Sequence, residues 1–157
     1  MPESFSWLAE CLCEARSKGG LGKFERGVLK TMLMLAAVDG NVSASEIDAF
    51  RAMALESSGI TGEAFAELWR DALHSAGYLA LQAKLLRKDL LVAEFMREAE
   101  DVFVKAVASE PRSKWTKVFD GLNGIASADG DYSDVERECV NALVKRVCEV
   151  SKSGDVK

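Results

Sequence analysis

Histidine, proline and cysteine are scarce in this sequence, which has one, two and four of them among 157 residues. One histidine cannot supply the two Glu-x-x-His motifs of a di-iron helical bundle, so that class of site is excluded. Cys11 and Cys13 would project from a helix roughly 200° apart, and Cys139 and Cys148 fit no zinc-ligand spacing. We therefore expect reduced, mostly buried thiols and no zinc site.

The sequence also lacks long apolar runs and an excess of basic over acidic residues. The longest fully apolar run covers residues 32–38, far below the ~18 residues that a membrane-spanning helix needs. Glu3 lies where a secretory signal would carry basic residues, so we expect a cytoplasmic protein. The net charge is −5 and no basic stripe with interleaved aromatics occurs, so nucleic acid is not an expected partner.

What the sequence does contain is apolar residues at three- and four-residue spacing along nearly its whole length, which predicts an all-α fold. We expect a single bundle of about seven to eight helices over residues 1–150, followed by a polar tail at 151–157. The predicted helices cover residues 2–17, 24–38, 44–57, 61–77, 78–88, 89–108, 115–126 and 134–150. The fifth and sixth are alternatively one bent helix, because neither glycine nor proline separates them.

Two further expectations concern packing. The leucines at positions 73, 81, 85 and 86 are assigned to the apolar faces of the fourth and fifth helices. Gly121 and Gly124 lie inside the seventh helix, where glycine costs ~1 kcal/mol relative to alanine. We expect the close approach of another backbone to compensate for that cost.

One short segment occurs twice, ninety residues apart. The first copy reads Asp39-Gly40-Asn41-Val42-Ser43-Ala44-Ser45-Glu46, and the second reads Asp129-Gly130-Asp131-Tyr132-Ser133-Asp134-Val135-Glu136. Apolar positions of the flanking helices repeat at the same offset: Val28 with Val118, Leu29 with Phe119, Met32 with Leu122, Leu35 with Ile125, Phe50 with Val140, and Met53 with Leu143. The repeat therefore predicts an internal duplication of a helix–turn–helix unit, and we call its two Asp-Gly segments the acidic joints.

Most of each acidic joint has the chemistry of helix ends. Glycine suits the left-handed position after a helix, and Ser-x-x-Glu is the capping box of the next helix. Asp39 and Asp129 remain unexplained, because an acid at the end of a helix opposes the helix dipole. Either each carboxylate accepts hydrogen bonds from its own turn, or it binds a cation.

A standard EF-hand is excluded at both joints. Asp-Gly followed five residues later by Glu fits the second half of that calcium loop. The first half fails, because the first and third ligand positions hold Leu35 and Ala37 in one copy and Ile125 and Ser127 in the other. Without those carboxylates, calcium binding at sensor affinity is not expected.

The two acidic joints, with the alanines and hydrophobic residues around them, resemble the TerB-type tellurite-resistance family. The resemblance implies a helical bundle of about seven helices, an acidic surface that binds metal, and a stress-response role without established catalysis. The acidic positions of the family correspond to Asp39, Glu46, Asp129 and Glu136, to which we add Asp131 as a helper. Ligands that are all carboxylates favour calcium, magnesium or manganese.

These observations predict a non-catalytic binding or scaffold module with a divalent-cation site at the joints. The alternative is a metal-independent adaptor that binds another protein. Under either interpretation we expect a protein partner, and a membrane-associated protein is one option. Neither interpretation predicts direct insertion of this chain into a bilayer. An enzyme is the weakest interpretation, since His74 is the only residue whose type makes it an obvious candidate for a catalytic group. The sequence leaves open whether the two joints meet in space.

Overall fold

The computed structural model describes residues 6–38, 43–126 and 134–153. These residues form helices and turns, with no strand among them, which confirms the all-α prediction. The helices are α1 (Ser6–Ser17), α2 (Lys23–Ala37), α3 (Ala44–Ser58), α4 (Gly62–Gln82), α5 (Lys88–Ala99), α6 (Lys105–Ala108), α7 (Arg112–Ala126) and α8 (Asp134–Ser153), and a π-helical segment, Glu100–Val104, joins α5 to α6. Within the described ranges, no helix combines the length and the apolar composition needed to cross a bilayer.

Helix α2 is the centre of the bundle. Ten of its fifteen residues are buried, including Val28, Met32 and Leu35, and it contacts α4, the π segment, α7 and α1. Helix α3 packs mainly on α1, whereas α8 packs on α5, α6 and α7. The second half of α2 carries apolar residues on every side. Other helices must therefore pack all around it to bury them.

The start of α2 is fixed by local chemistry. Gly19 and Gly20 have φ angles of 115° and 133°, which glycine adopts without the steric cost that a Cβ would bring. The Gly22 N–H then donates to the Glu25 carboxylate over 2.8 Å, which satisfies one of the N–H groups at the helix end. The glycine-rich connector therefore ends in a defined helix start.

The backbone of the π segment packs directly on α2 at Gly27. A Cβ at Gly27 would overlap the carbonyl oxygen of Val102, so only glycine allows the two backbones to approach this closely. Arg146 of α8 holds the same segment from the other side, donating to both carboxylate oxygens of Glu100 over 3.1 and 3.0 Å. No local sequence pattern indicates this contact.

The predicted break near Gly77 is wrong, since α4 continues to Gln82 and the turn lies at residues 83–87. Gly77 has open space around it, and one exposed glycine costs a helix only ~1 kcal/mol. The buried stripe of Phe65, Ala72 and Leu79 continues across it, and its burial outweighs that cost. The fifth predicted helix, residues 78–88, is therefore divided between α4 and the turn.

Leu73, Leu81 and Leu85 were predicted to face inwards, and this is wrong. Their exposed fractions are 38%, 56% and 72%. They lie on the side of α4 and of its following turn that no other described helix covers, because Phe65, Ala72 and Leu79 take the core-facing side. Hydrophobic residues therefore occur on both sides of the second half of α4.

Four of the six apolar pairs that the repeat predicts are buried at both positions, whereas Phe119 is only half-buried beside its buried counterpart Leu29. The burial of Ile125 lies outside what the structure describes. The internal duplication stays a prediction. The space beside Gly121 is filled by side chains, Trp7 and Met32, and not by a backbone as predicted. The structure does not describe residues 1–5, the joint glycines at positions 40 and 130, or the surroundings of Gly124.

Gly27→Ala should lower the free energy of unfolding by about 1–3 kcal/mol, because the added Cβ forces the π segment away from α2. Gly77→Ala is the matched control and should raise it by about 0.5–1 kcal/mol, since the same methyl group meets open space in a helix. Urea unfolding measures both. A Gly27→Ala variant as stable as the original protein would contradict the close packing of α2 on the π segment.

Candidate functional site

The structure describes two of the five predicted metal ligands. Glu46 lies in the first turn of α3 and Glu136 in the first turn of α8. Asp39, Asp129 and Asp131 lie outside the described residues, and their role as ligands stays a prediction.

Glu46 forms the capping box that the sequence predicts. Its Oε1 accepts a hydrogen bond from the Ser43 N–H over 2.8 Å, and its own N–H donates to Ser43 Oγ over 3.1 Å. Two N–H groups at the start of α3 are thereby satisfied. Both side chains are exposed, so the carboxylate that caps α3 also faces solvent.

Glu136 holds the same position in the repeat but is buried, with 5% of its surface exposed. A carboxylate removed from water needs compensating hydrogen bonds or charges, and the positive end of α8 supplies part of that compensation. Its negative charge, together with burial, raises the pKa of the Cys139 thiol above its usual range, burial being the larger cause. The two copies of the joint therefore place equivalent carboxylates in unlike surroundings.

Among the residues that the structure describes, no three His, Cys, Asp or Glu side chains lie close enough together to hold a metal ion. Glu46 and Glu136 alone would give too few oxygen ligands for calcium or magnesium. A cation site at the joints therefore requires the aspartates at positions 39, 129 and 131.

Two of the four thiols are held in their unreactive, protonated form. His74 is exposed on α4. Burial raises the pKa of Cys11 to about 11, aided by nearby Glu25, and burial raises the pKa of Cys139 further. A raised pKa leaves the thiol protonated at neutral pH, and the thiolate is the reactive form.

A groove of about 1000 Å³ lies between the first half of α2, α4 and the π segment. Its walls carry charges of both signs, and neighbouring charges pair: Lys30 with Asp71 over 3.1 Å, and Lys105 with Asp101 over 2.8 Å. Lys105 lowers the pKa of Asp101 and Asp101 raises that of Lys105, so both keep their ordinary charges at pH 7.

A comparison with protein families now adds to this geometry. The family model described as tellurite resistance protein TerB matches residues 25–152. The chain belongs to the TerB family. The match begins in the first turn of α2, ends within α8, and so includes both acidic joints. Neither the curated proteins nor the solved structures gave a match.

Membership of the TerB family confirms the resemblance drawn from the joints. TerB domains are helical and generally non-catalytic. The signal that identified the family was the doubled Asp-Gly segment. The groove was missed because three distant parts of the chain form it.

Glu136→Ala should lower the free energy of unfolding by about 1–3 kcal/mol, because the polar groups that pair with a buried carboxylate lose their partner. Glu46→Ala should lower the free energy of unfolding by about 0.5–1 kcal/mol, because it removes part of a solvent-exposed helix cap. Glu63→Ala, in the first turn of α4 and exposed, is the control and should stay within about 0.5 kcal/mol. Equal losses at Glu46 and Glu136 would contradict the difference in burial.

Thiol labelling at pH 8 should show one fast-reacting cysteine. Cys13 is exposed, whereas Cys139 is buried with a raised pKa. Ellman's reagent should modify Cys13 first and Cys139 only after unfolding in urea. Cys13→Ser should abolish the fastest phase. Labelling of Cys139 in the folded protein, located by peptide mass spectrometry, would contradict its burial.

Proposed function

We propose that this TerB-family chain is a non-catalytic binding module of a bacterial stress response of the tellurite-resistance type, acting in the cytoplasm. We propose further that its two acidic joints hold one divalent cation between them. The observation that carries the proposal is the family match over residues 25–152, which includes both joints.

The ligand chemistry supports a hard cation. Asp39, Glu46, Asp129, Asp131 and Glu136 offer carboxylate oxygens only, which suit calcium, magnesium or manganese. One joint provides too few oxygens for six-coordination, so a shared site needs both. Water molecules and backbone carbonyls would complete the coordination.

The packing of α2 on α7 supports a shared site. Met32 of α2 reaches the position of Gly121 in α7, and these two residues lie at nearly equivalent places in the repeat. Asp39 follows Met32 by seven positions in the sequence, and Asp129 follows Gly121 by eight. Both joints therefore begin within eight residues, along the chain, of one packing contact.

The alternative is an adaptor that binds a protein partner without metal. The capping box supports it, because the Ser43 and Glu46 contacts already explain those two residues as parts of a helix start. In this case the joints are structural, and partner binding uses another surface.

Thermal unfolding of the chelator-treated protein separates the two functions. Calcium, magnesium and manganese are added in turn to the original protein and to an Asp39→Asn/Asp129→Asn variant. A cation that binds only the folded state stabilises it by ~2.7 kcal/mol at a hundred times its dissociation constant. We expect a raised Tm in the original protein and none in the variant.

Asp48→Asn is the matched control, because Asp48 is an exposed carboxylate in α3 outside the joints. It should respond to the cation as the original protein does. A Tm that no cation raises, or that rises equally in the double variant, would contradict the metal site and leave the adaptor as the function.

A further inference from the structure

The second half of α4 and the turn after it carry an unusual surface, which we call the basic leucine face. Four large hydrophobic side chains are exposed among the residues that the structure describes, and all four belong to this face. Basic residues close to them in the sequence complete it. Its members are Leu73, Leu81, Leu85 and Leu90, with Arg70, Lys84, Arg87 and Lys88. Hydrogen bonds from Ser75 to Glu98 and from Tyr78 to Glu94 hold α5 along α4, so Leu90 at the start of α5 lies beside the end of α4.

The charge of this face is opposite to that of the chain. Residues 70–90, the span from Arg70 to Leu90, include four basic and two acidic residues, whereas the whole chain has 25 acidic and 20 basic residues. One of the two acidic residues, Asp71, is paired with Lys30 of α2. Arg87 and Lys88 have partners, Asp89 and Glu138, at exposed sites, where such pairs contribute little because water and salt screen them.

We propose that the basic leucine face binds the surface of an anionic phospholipid bilayer. Lipid headgroups would pair with the basic side chains, while the leucines enter the boundary between headgroups and acyl chains. Leucines beside lysine and arginine are the composition of surfaces that lie in this boundary. The long basic side chains can keep their charges at headgroup level while their stems lie along apolar surface.

The shape of the face favours a bilayer over a protein helix as its occupant. Leu85 projects from a turn between two helices with 72% of its surface exposed, so it stands above its surroundings. A partner helix generally needs a hydrophobic groove to receive its apolar stripe, and a projecting corner is the reverse of a groove. A fluid bilayer accepts a projecting leucine without a matching cavity.

Charge also decides the orientation. An anionic bilayer attracts nearby lysine and arginine and repels the rest of a chain whose net charge is −5. The basic leucine face would therefore be the side that approaches. This binding is peripheral and does not depend on the proposed cation site, since its residues lie on different helices from both joints.

Vesicle co-sedimentation with the full chain tests the proposal. We expect binding to vesicles of phosphatidylcholine mixed with phosphatidylglycerol, little binding to phosphatidylcholine alone, and release at ~0.5 M salt, where screening is strong. Lys84→Glu should weaken binding about fivefold or more, because it reverses one charge at the membrane. Leu81→Ser/Leu85→Ser should weaken it about tenfold or more, through the loss of apolar insertion.

Lys117→Glu, the same charge reversal at an exposed position of α7, is the matched control and should keep most of the binding. Circular dichroism and Tm check that each variant is folded. Equal losses in Lys84→Glu and Lys117→Glu, or no binding to the anionic vesicles, would overturn the proposal. A dimer that Leu81→Ser/Leu85→Ser dissociates, without vesicle binding, would assign the face to a second copy of the chain instead.

Discussion

The burial of α2 is the constraint on which the rest of this structure depends. Ten of its fifteen residues are shielded from water, and a helix covered in this way needs neighbours on every side. Two contacts show how close they come: the Val102 carbonyl lies against Gly27, and Met32 and Trp7 fill the space beside Gly121. Charged residues of α2 are confined to its first half, where Lys30 reaches Asp71 of α4.

Burying α2 also determines the surroundings of the helices that flank the acidic joints. One joint follows α2 and the other follows α7, which packs on it. The repeated sequence nevertheless meets different neighbours, since α3 lies on α1 while α8 lies on α5, α6 and α7. Equivalent glutamates consequently become an exposed helix cap at Glu46 and a buried carboxylate at Glu136. A site built from both joints would combine one accessible and one shielded ligand.

The sequence predicts those features that depend on neighbouring residues. The capping box at Ser43 and Glu46 and the bounds of α2 and α3 follow from residues within one helical turn of each other. The π segment, the groove and the need for glycine at Gly27 depend on helices distant in sequence, and no local pattern reports them. Gly77 has the residue type of a helix end, but the apolar stripe of α4 runs past it. The prediction that the exposed leucines are buried was wrong for the same reason. Periodicity identifies the apolar residues of a helix but does not show which of its faces a neighbour will cover.

We propose that the two joints bind one cation together, and paramagnetic broadening by manganese tests this binding most directly. In an isotope-labelled sample, the amide signals of Glu46 and Glu136 should broaden at the same low manganese concentration. In a shared site, Asp129→Asn should then remove the broadening at Glu46 as well as at Glu136, although the replaced residue belongs to the other joint. Broadening at Glu46 that persists in Asp129→Asn, or broadening spread evenly over the acidic surface, would contradict the account.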